Sequence, residues 1–152
     1  MNKVEAEKRI LALDIGEKRI GMAVSDPLFI TAQGIMTLER TNWRADVKAV
    51  GEVIREYSVT EVVVGLPKSL DGSIGPSAER VRDFVEKMKR SIHLPIVEWD
   101  ERFSTAAVER TLIEADVRRK KRREVIDKVA AQFILQGYMD FKRMDGSSGP
   151  WT

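Results

Sequence analysis

The stretch RILALDIGEKRIGMAVSD, residues 9–26, decides the fold. Apolar residues dominate positions 9–16 and end at a glycine, which predicts a strand followed by a turn. Residues 19–25 are predicted to form a second strand, which Asp26-Pro27 ends, and residues 31–38 a third. The connections are too short to hold crossover helices, so we expect an antiparallel meander of three strands.

The remaining sequence alternates helical periodicity with apolar, β-branched runs. The predicted elements are a helix over 45–57, a strand over 61–66, a helix capped by Ser77, a strand over 95–99, a helix from Ser104 or Thr105 to about 114, and a final helix over 124–141. The inward-facing residues of the final helix are expected to be Ile126, Val129, Ala130, Phe133, Ile134, Gly137, Tyr138 and Phe141. The elements predict an α/β fold, in which two parallel strands extend the meander into a mixed five-stranded sheet flanked by helices.

Length and composition bound the kind of protein. A chain of 152 residues fits one domain, 1–152, in which we expect a flexible leader at 1–8 and a flexible tail at 145–152. The absence of Cys excludes thiolate chemistry, and a single His, His93, makes a Ser-His-Asp triad or a His-rich metal site improbable. The first residues lack the apolar segment of a signal peptide and no run is long enough to span a membrane, so we expect a cytoplasmic protein.

The formal net charge of +2 conceals a segregation of charge. Residues 117–128, VRRKKRREVIDK, hold seven basic and two acidic residues, a balance of +5, and the rest of the chain holds 19 basic and 22 acidic residues, a balance of −3. The basic run 118–123 suits a polyanionic partner such as nucleic acid. A solvated, charged loop without a partner is the alternative explanation.

Asp14 is the first candidate for catalysis. It interrupts an otherwise apolar strand. Burying a carboxylate there costs several kcal/mol unless it is paired or bound to a cation. The alternative is an Asp that ends a strand and makes a local turn hydrogen bond.

Two other acidic positions could join Asp14. Asp100-Glu101-Arg102 ends the fifth predicted strand, where ligands of α/β sheets gather, although an ordinary polar loop before a helix cap would have the same composition. Asp127 borders the buried stripe of the final helix, although in the first turn of that helix it would also interact favourably with the helix dipole. Three carboxylates from two strands and a helix are the oxygen ligands that Mg²⁺ or Mn²⁺ takes, and one or two such ions can activate water for phosphodiester hydrolysis.

Four blocks carry a family resemblance that spans about residues 9–141: LALDIGEKRIGMAVSD, VVVGLPKSLDGSIGPSAERV, VEWDERFSTAAVE and IDKVAAQFILQGYMD. In this order they resemble the YqgF/RuvX-like family of the ribonuclease H-like superfamily. The resemblance implies a ribonuclease H-like fold and a metal-dependent nuclease, with Asp14, Glu101 and Asp127 as catalytic and metal-binding residues. Related resolvases carry their second carboxylate on the strand beside the first, whereas the segment EVVVGLP has none at the matching place.

The resemblance also implies a hydrolase that acts in 5′-end processing of pre-16S rRNA, and hence in ribosome biogenesis. Structured RNA and ribosomal precursor particles are the partners expected on this reading. The residues expected to contact phosphates are Lys18, Arg19, Arg102, Arg118, Arg119, Lys120, Lys121, Arg122 and Arg123. A Holliday junction resolvase that acts on branched DNA is the first alternative, and a non-catalytic ribosome-assembly factor that binds nucleic acid is the second. A monomer or weak homodimer is expected, because no strong apolar dimer stripe is visible.

Overall fold

A computed structural model describes residues 8–67, 71–100 and 119–144, and within the last range it describes the side chains of 127–143. The strands are β1 (Arg9–Ile15), β2 (Arg19–Ser25), β3 (Ala32–Glu39), β4 (Val59–Leu66) and β5 (Ile96–Asp100). The helices of these ranges are α1 (Trp43–Glu56), α2 (Pro76–Met88) and α3 (Arg119–Met144). The predicted helix over about 104–114, the leader to residue 7 and the tail 145–152 lie outside the described residues.

The strands form one mixed five-stranded sheet in the order β3-β2-β1-β4-β5. Strands β1, β2 and β3 pair antiparallel, which confirms the predicted meander. Strand β4 pairs parallel with β1, and β5 pairs parallel with β4. The central strand is therefore β1, whose carboxyl end lies at the same edge of the sheet as those of β4 and β5. This edge is where ligands of such sheets usually bind.

Alternation along the strands divides the core into two layers. Leu11, Leu13 and Ile15 face one layer, which α1 and α2 cover with larger side chains such as Phe84 and Met88. The opposite side chains of β1 face a second layer, which α3 covers. Small residues are frequent in that second layer, including Ala12, Ala23 and Ala131, so α3 approaches the sheet closely.

Local sequence explains the starts of the first two helices. Asn42 caps α1, because its side chain accepts a hydrogen bond of 2.9 Å from the backbone N–H of Ala45. The expectation that Ser77 caps α2 was wrong: Gly75 is the N-cap residue, and Ser77 lies inside the helix. Pro76 explains the difference, since its fixed φ and missing N–H suit the first position of a helix.

The final helix differs most from its prediction. It begins at Arg119 rather than at residue 124, so the backbone of residues 119–123 of the basic run is helical. Asp127 is consequently well inside α3, and the interpretation that places it in the first turn is wrong. Among the described side chains of α3, residues 127–143, the buried ones are Ala130, Ala131, Ile134, Leu135, Tyr138 and Met139, whereas Phe141, expected to face inward, is 46% exposed. In the described ranges, no helix combines the length and apolar character needed to cross a membrane.

Candidate active site

Asp14 lies near the carboxyl end of the central strand and points towards α3. Ile10 and Ala12 face the α3 layer, and alternation places Asp14 on the same face. The side chain is half-buried. Its antiparallel partner on β2 is Gly21, and on β4 Gly65 follows Val64, the partner of Leu13. Both neighbouring strands therefore leave room beside Asp14, and β4 carries no second carboxylate there.

Gly21 brings Asp127 to the same place. A Cβ atom on Gly21 would lie 1.9 Å from the carbonyl oxygen of Asp127 and 3.1 Å from its Cα. The backbone of α3 thus rests directly on the backbone of β2, at the residue that pairs with Asp14. Only glycine permits this approach, and it sets Asp127 beside Asp14 although 113 positions separate them in the sequence.

Arg19 is the cation of this site. It is the first residue of β2, and its Nε donates a hydrogen bond of 2.8 Å to Oδ2 of Asp127. The two side chains are 19% and 22% exposed, so the ion pair is partly shielded from water. Arg19 therefore fixes the Asp127 carboxylate and offsets part of the negative charge that Asp14 and Asp127 bring together.

The two acidic residues of β5, Glu98 and Asp100, lie on the same face of the sheet. Glu98 faces α2, since Nε of Arg82 lies 3.4 Å from its Oε1. Asp100 is two residues further along β5 and shares that face, which is opposite to the face of Asp14. Asp100 is thus not brought together with Asp14 and Asp127. Glu101, the third predicted ligand, lies outside the described residues.

The turn between β1 and β2 is held by two residues that the sequence did not single out, Arg40 and Asp46. The Nη1 of Arg40 donates a hydrogen bond of 2.8 Å to the carbonyl oxygen of Gly16, and its Nε donates one of 3.0 Å to Asp46. Asp46 is buried in α1 at 2% exposure, and the Arg40 guanidinium lies 5.0 Å from the centre of the Phe84 ring. A buried carboxylate needs such a partner, so this pair positions the turn that connects Asp14 to Arg19.

The predicted phosphate contacts are only partly described. Lys18 is exposed on the β1–β2 turn, next to Arg19. Residues 119–123 begin α3, the helix that also carries Asp127, which places the backbone of this basic run within two turns of the carboxylate. Arg102 and Arg118 lie outside the described residues.

Asp14 and Asp127 lie on the same face of the sheet, with the Asp127 backbone on the β2 partner of Asp14. No group of three potential metal ligands occurs among the residues that the structure describes. Asp14 and Asp127 supply the oxygen ligands that Mg²⁺ and Mn²⁺ prefer, and the close approach at Gly21 sets both on one side of the sheet. They fit a hard divalent cation, and a third ligand would have to come from outside the described ranges.

Comparisons with known proteins identify the family. The model of the RuvX family, described as Holliday junction resolvase, matches residues 8–141. A Halothermothrix orenii protein named "Putative pre-16S rRNA nuclease" is 51% identical over 134 residues, which are 88% of this chain and 96% of that protein. A Myxococcus xanthus protein of the same name is 55% identical over 135 residues, or 89% of each chain.

Solved structures show the fold. The Thermus thermophilus RuvC protein in complex with Holliday junction substrate superposes with a TM-score of 0.55 at 11% identity, over 88% of this chain and 96% of that one. The mixed sheet and its flanking helices thus have the ribonuclease H-like architecture of RuvC resolvases. Because the family model covers nearly the whole chain and the two relatives are more than half identical to it, this chain belongs to the RuvX family.

Proposed function

We propose that this chain is a metal-dependent endonuclease that hydrolyses phosphodiester bonds in 5′-end processing of pre-16S rRNA. The observation that carries the proposal is the placement of Asp127 on Gly21, beside Asp14, at the carboxyl end of the central strand. The names of the relatives support the rRNA substrate, and the ribonuclease H-like fold supports a nuclease. The same proposal includes one nuclease domain over 1–152 that acts as a monomer or weak homodimer. It also includes a cytoplasmic location and ribosomal precursor particles as partners.

Asp14, Asp127 and Glu101 would hold one or two Mg²⁺ or Mn²⁺ ions. When bound, the metal supplies an activated water and stabilises the charge that develops on the phosphate. Glu101 is preferred to Asp100 because Asp100 shares the face of Glu98. Arg19 holds the Asp127 carboxylate in place.

Basic residues would position the substrate without reading its sequence. Lys18 and Arg19 are at the edge of the sheet that carries Asp14, and Arg102 and Arg118–Arg123 complete the predicted set. Contacts of this kind go to phosphates, so their loss should weaken binding to different sequences about equally.

The test compares Asp14→Asn with Asp100→Asn. Both variants remove one negative charge near the ends of parallel strands, but only Asp14 faces α3. With 5′-extended precursor RNA and Mg²⁺, Asp14→Asn should lower the cleavage rate by about 100-fold or more, because several kcal/mol of charge stabilisation are lost. Asp127→Asn should act similarly, Asp100→Asn should cut within a few-fold of the wild type, and EDTA should abolish cleavage.

The same assay separates the alternatives. The family description favours a Holliday junction resolvase as the second candidate, so a four-way DNA junction is offered in parallel. If the protein cuts the junction in preference to the RNA, branched DNA is the substrate. Tight RNA binding without cutting under any metal would favour a binding factor. Equal rates for the wild type and Asp14→Asn would refute the site.

A further inference from the structure

A cleft opens between α1 and α2, on the opposite side of the sheet from Asp14. Its volume is about 470 Å³, within the range of roughly 300–1,000 Å³ that is usual for ligand sites. None of the described residues that line it is acidic, and the aromatic and basic ones are Trp43, Arg44, Lys48, Arg55, Lys87 and Arg90. Five cations around one cleft repel each other, and an anion bound there would reduce that repulsion.

Trp43 is the centre of this cationic cleft. The Cζ of Arg44 lies 4.6 Å from the centre of a Trp43 ring, the Cζ of Arg90 5.4 Å and the Nζ of Lys87 5.5 Å. Lys87 is partly neutralised by Asp83 at 2.7 Å, whereas Arg44, on α1, and Arg90, in the turn after α2, are exposed. An aromatic ring among guanidinium groups is the combination that binds a base by stacking and its phosphates by charge.

A second cavity shares Trp43 with this cleft and is also lined by residues of the β1–β2 turn. It has a volume of about 440 Å³, and Trp43 lines both cavities. Its basic lining residues are Lys18, on the β1–β2 turn, Arg40 and Arg80. This second cavity also contains Glu17, Glu39 and Asp46, so its charge is mixed and only the cationic cleft beyond Trp43 is uniformly positive.

We propose that the cationic cleft binds a single-stranded RNA segment, with a base on Trp43 and phosphates on Arg44 and Arg90. An unpaired strand is required because a base in a duplex cannot expose its face to the ring. The strand would extend from the β1–β2 turn over Trp43 to the cleft, so a flank of the substrate would be held away from the scissile bond. The identification of the strand as RNA, and as part of the substrate, rests on the proposed function, whereas the cleft itself does not.

The experiment measures binding of an unstructured 12-nucleotide RNA to the Asp14→Asn protein without divalent metal. The double variant Arg44→Ser/Arg90→Ser removes two cations from the cleft. The control, Arg82→Ser/Lys89→Ser, removes two exposed cations, one on α2 and one at its C-cap, that do not line it. The first pair should reduce the slope of log K against log salt by about 1.4, since each phosphate contact in a single strand contributes about 0.7. The control pair should leave the slope unchanged.

Trp43 provides a direct reading of the stacked base. In a Trp151→Phe background, binding of the RNA should quench the fluorescence of Trp43, which is identified as the emission that the Trp43→Leu variant lacks. Trp43→Leu should also weaken RNA binding by about 5- to 100-fold. Equal salt slopes for the two double variants would overturn the proposal, whatever the folding of Trp43→Leu. It would also be overturned if a mononucleotide or an RNA duplex bound as tightly as the 12-nucleotide strand.

These outcomes are independent of cleavage. If precursor RNA is cut but the two double variants bind alike, the nuclease proposal stands and the cleft proposal fails. If neither RNA nor the DNA junction is cut but binding of the strand depends on Arg44, Arg90 and Trp43, the cleft proposal stands and the nuclease proposal fails.

Discussion

The two faces of the sheet are built differently. On one face α3 lies on glycine: a Cβ on Gly21 would meet the Asp127 backbone, and a Cβ on Gly34 would lie 2.5 Å from Cγ of Lys128. On the other face, side chains separate the helices from the sheet: valines such as Val50 on α1, and larger side chains such as Phe84 and Met88 on α2. The carboxylates lie on the face with backbone contact and the cationic cleft on the face with side-chain packing. The position of Asp127 therefore depends on the absence of a single Cβ atom, whereas the cleft lies on helices that can vary on their surface.

The substitution Gly21→Ala should have the largest effect on stability, because it adds a Cβ atom where α3 lies directly on the sheet. The new methyl group would overlap the carbonyl oxygen of Asp127 at 1.9 Å, and backbone cannot rotate away as a side chain can. We expect a loss of about 3 kcal/mol in the free energy of unfolding, measured by urea denaturation. The displaced Asp127 should also lower the rate of RNA cleavage in the fraction that remains folded.

Gly34→Ala is the matched control for Gly21→Ala. Its nearest neighbour is the flexible side chain of Lys128, and the carbonyl oxygen of Lys128 is 3.1 Å away, so a smaller loss is expected. A Gly21→Ala protein that unfolds at the wild-type urea concentration would show that α3 does not rest on β2.

Local patterns predicted the architecture well because the meander is a local structure. The short connections between β1, β2 and β3 leave antiparallel pairing as the only arrangement, and the apolar run of β4 indicates a strand buried on both faces. Asp14 could be singled out because a carboxylate in the central strand is costly. The face of Asp100 could not be predicted, since a five-residue strand does not show by its pattern where its alternation begins.

The start of α3 shows a different limit. A run of six cations looks like a solvated loop, but Arg and Lys have good intrinsic helix propensity. Repulsion between like charges four residues apart costs only a few tenths of a kcal/mol per pair. Packing of the later turns on the sheet outweighs that cost. The network of Arg40 and Asp46 could not be predicted either, because it depends on a turn and a helix that meet only in the folded chain.

Tyr138→Phe tests the far end of α3. The hydroxyl of Tyr138 donates a hydrogen bond to Oε2 of Glu61 at the start of β4, and the ring is 4% exposed. The variant leaves a partly buried carboxylate without this donor, so we expect a loss of about 1.5 kcal/mol in the free energy of unfolding at pH 7.

The pH dependence of that loss has a definite sign. Burial, and then the hydrogen bond and negative charge of Glu61, raise the pKa of Tyr138 above its ordinary value of 10.0. The folded protein thus favours the neutral phenol, and its contribution is complete below pH 10 and decreases as the pH rises above that value. The difference between wild type and Tyr138→Phe should be constant from pH 7 to 9 and shrink above pH 10. A difference that grows with pH would contradict the shift.

Arg19→Gln alters the charge of the candidate site without moving α3. The variant removes the cation paired with Asp127 at 2.8 Å, so under the proposed function a metal no longer competes with it for the carboxylate. A partly exposed pair contributes about 1 kcal/mol, and the Mg²⁺ concentration for half-maximal cleavage should fall by about fivefold. Lys18→Gln removes the neighbouring exposed cation and should leave that Mg²⁺ concentration unchanged. Identical Mg²⁺ titrations of the two variants would show that Arg19 does not act on the metal ligand.

Gly51→Ala places a methyl group inside α1, on the other face of the sheet, and its effect on stability can be compared with that of Gly21→Ala. The added Cβ would meet only Nη1 of Arg55, at 3.8 Å, which is an ordinary contact. Alanine is favoured over glycine within a helix by about 0.8 kcal/mol, so the free energy of unfolding, measured by urea denaturation, should rise by about that amount. A destabilised Gly51→Ala protein would mean that α1 is packed as tightly as α3. The same chemical change is thus expected to have opposite signs on the two faces, because one glycine sits under a helix backbone and the other only forms part of one.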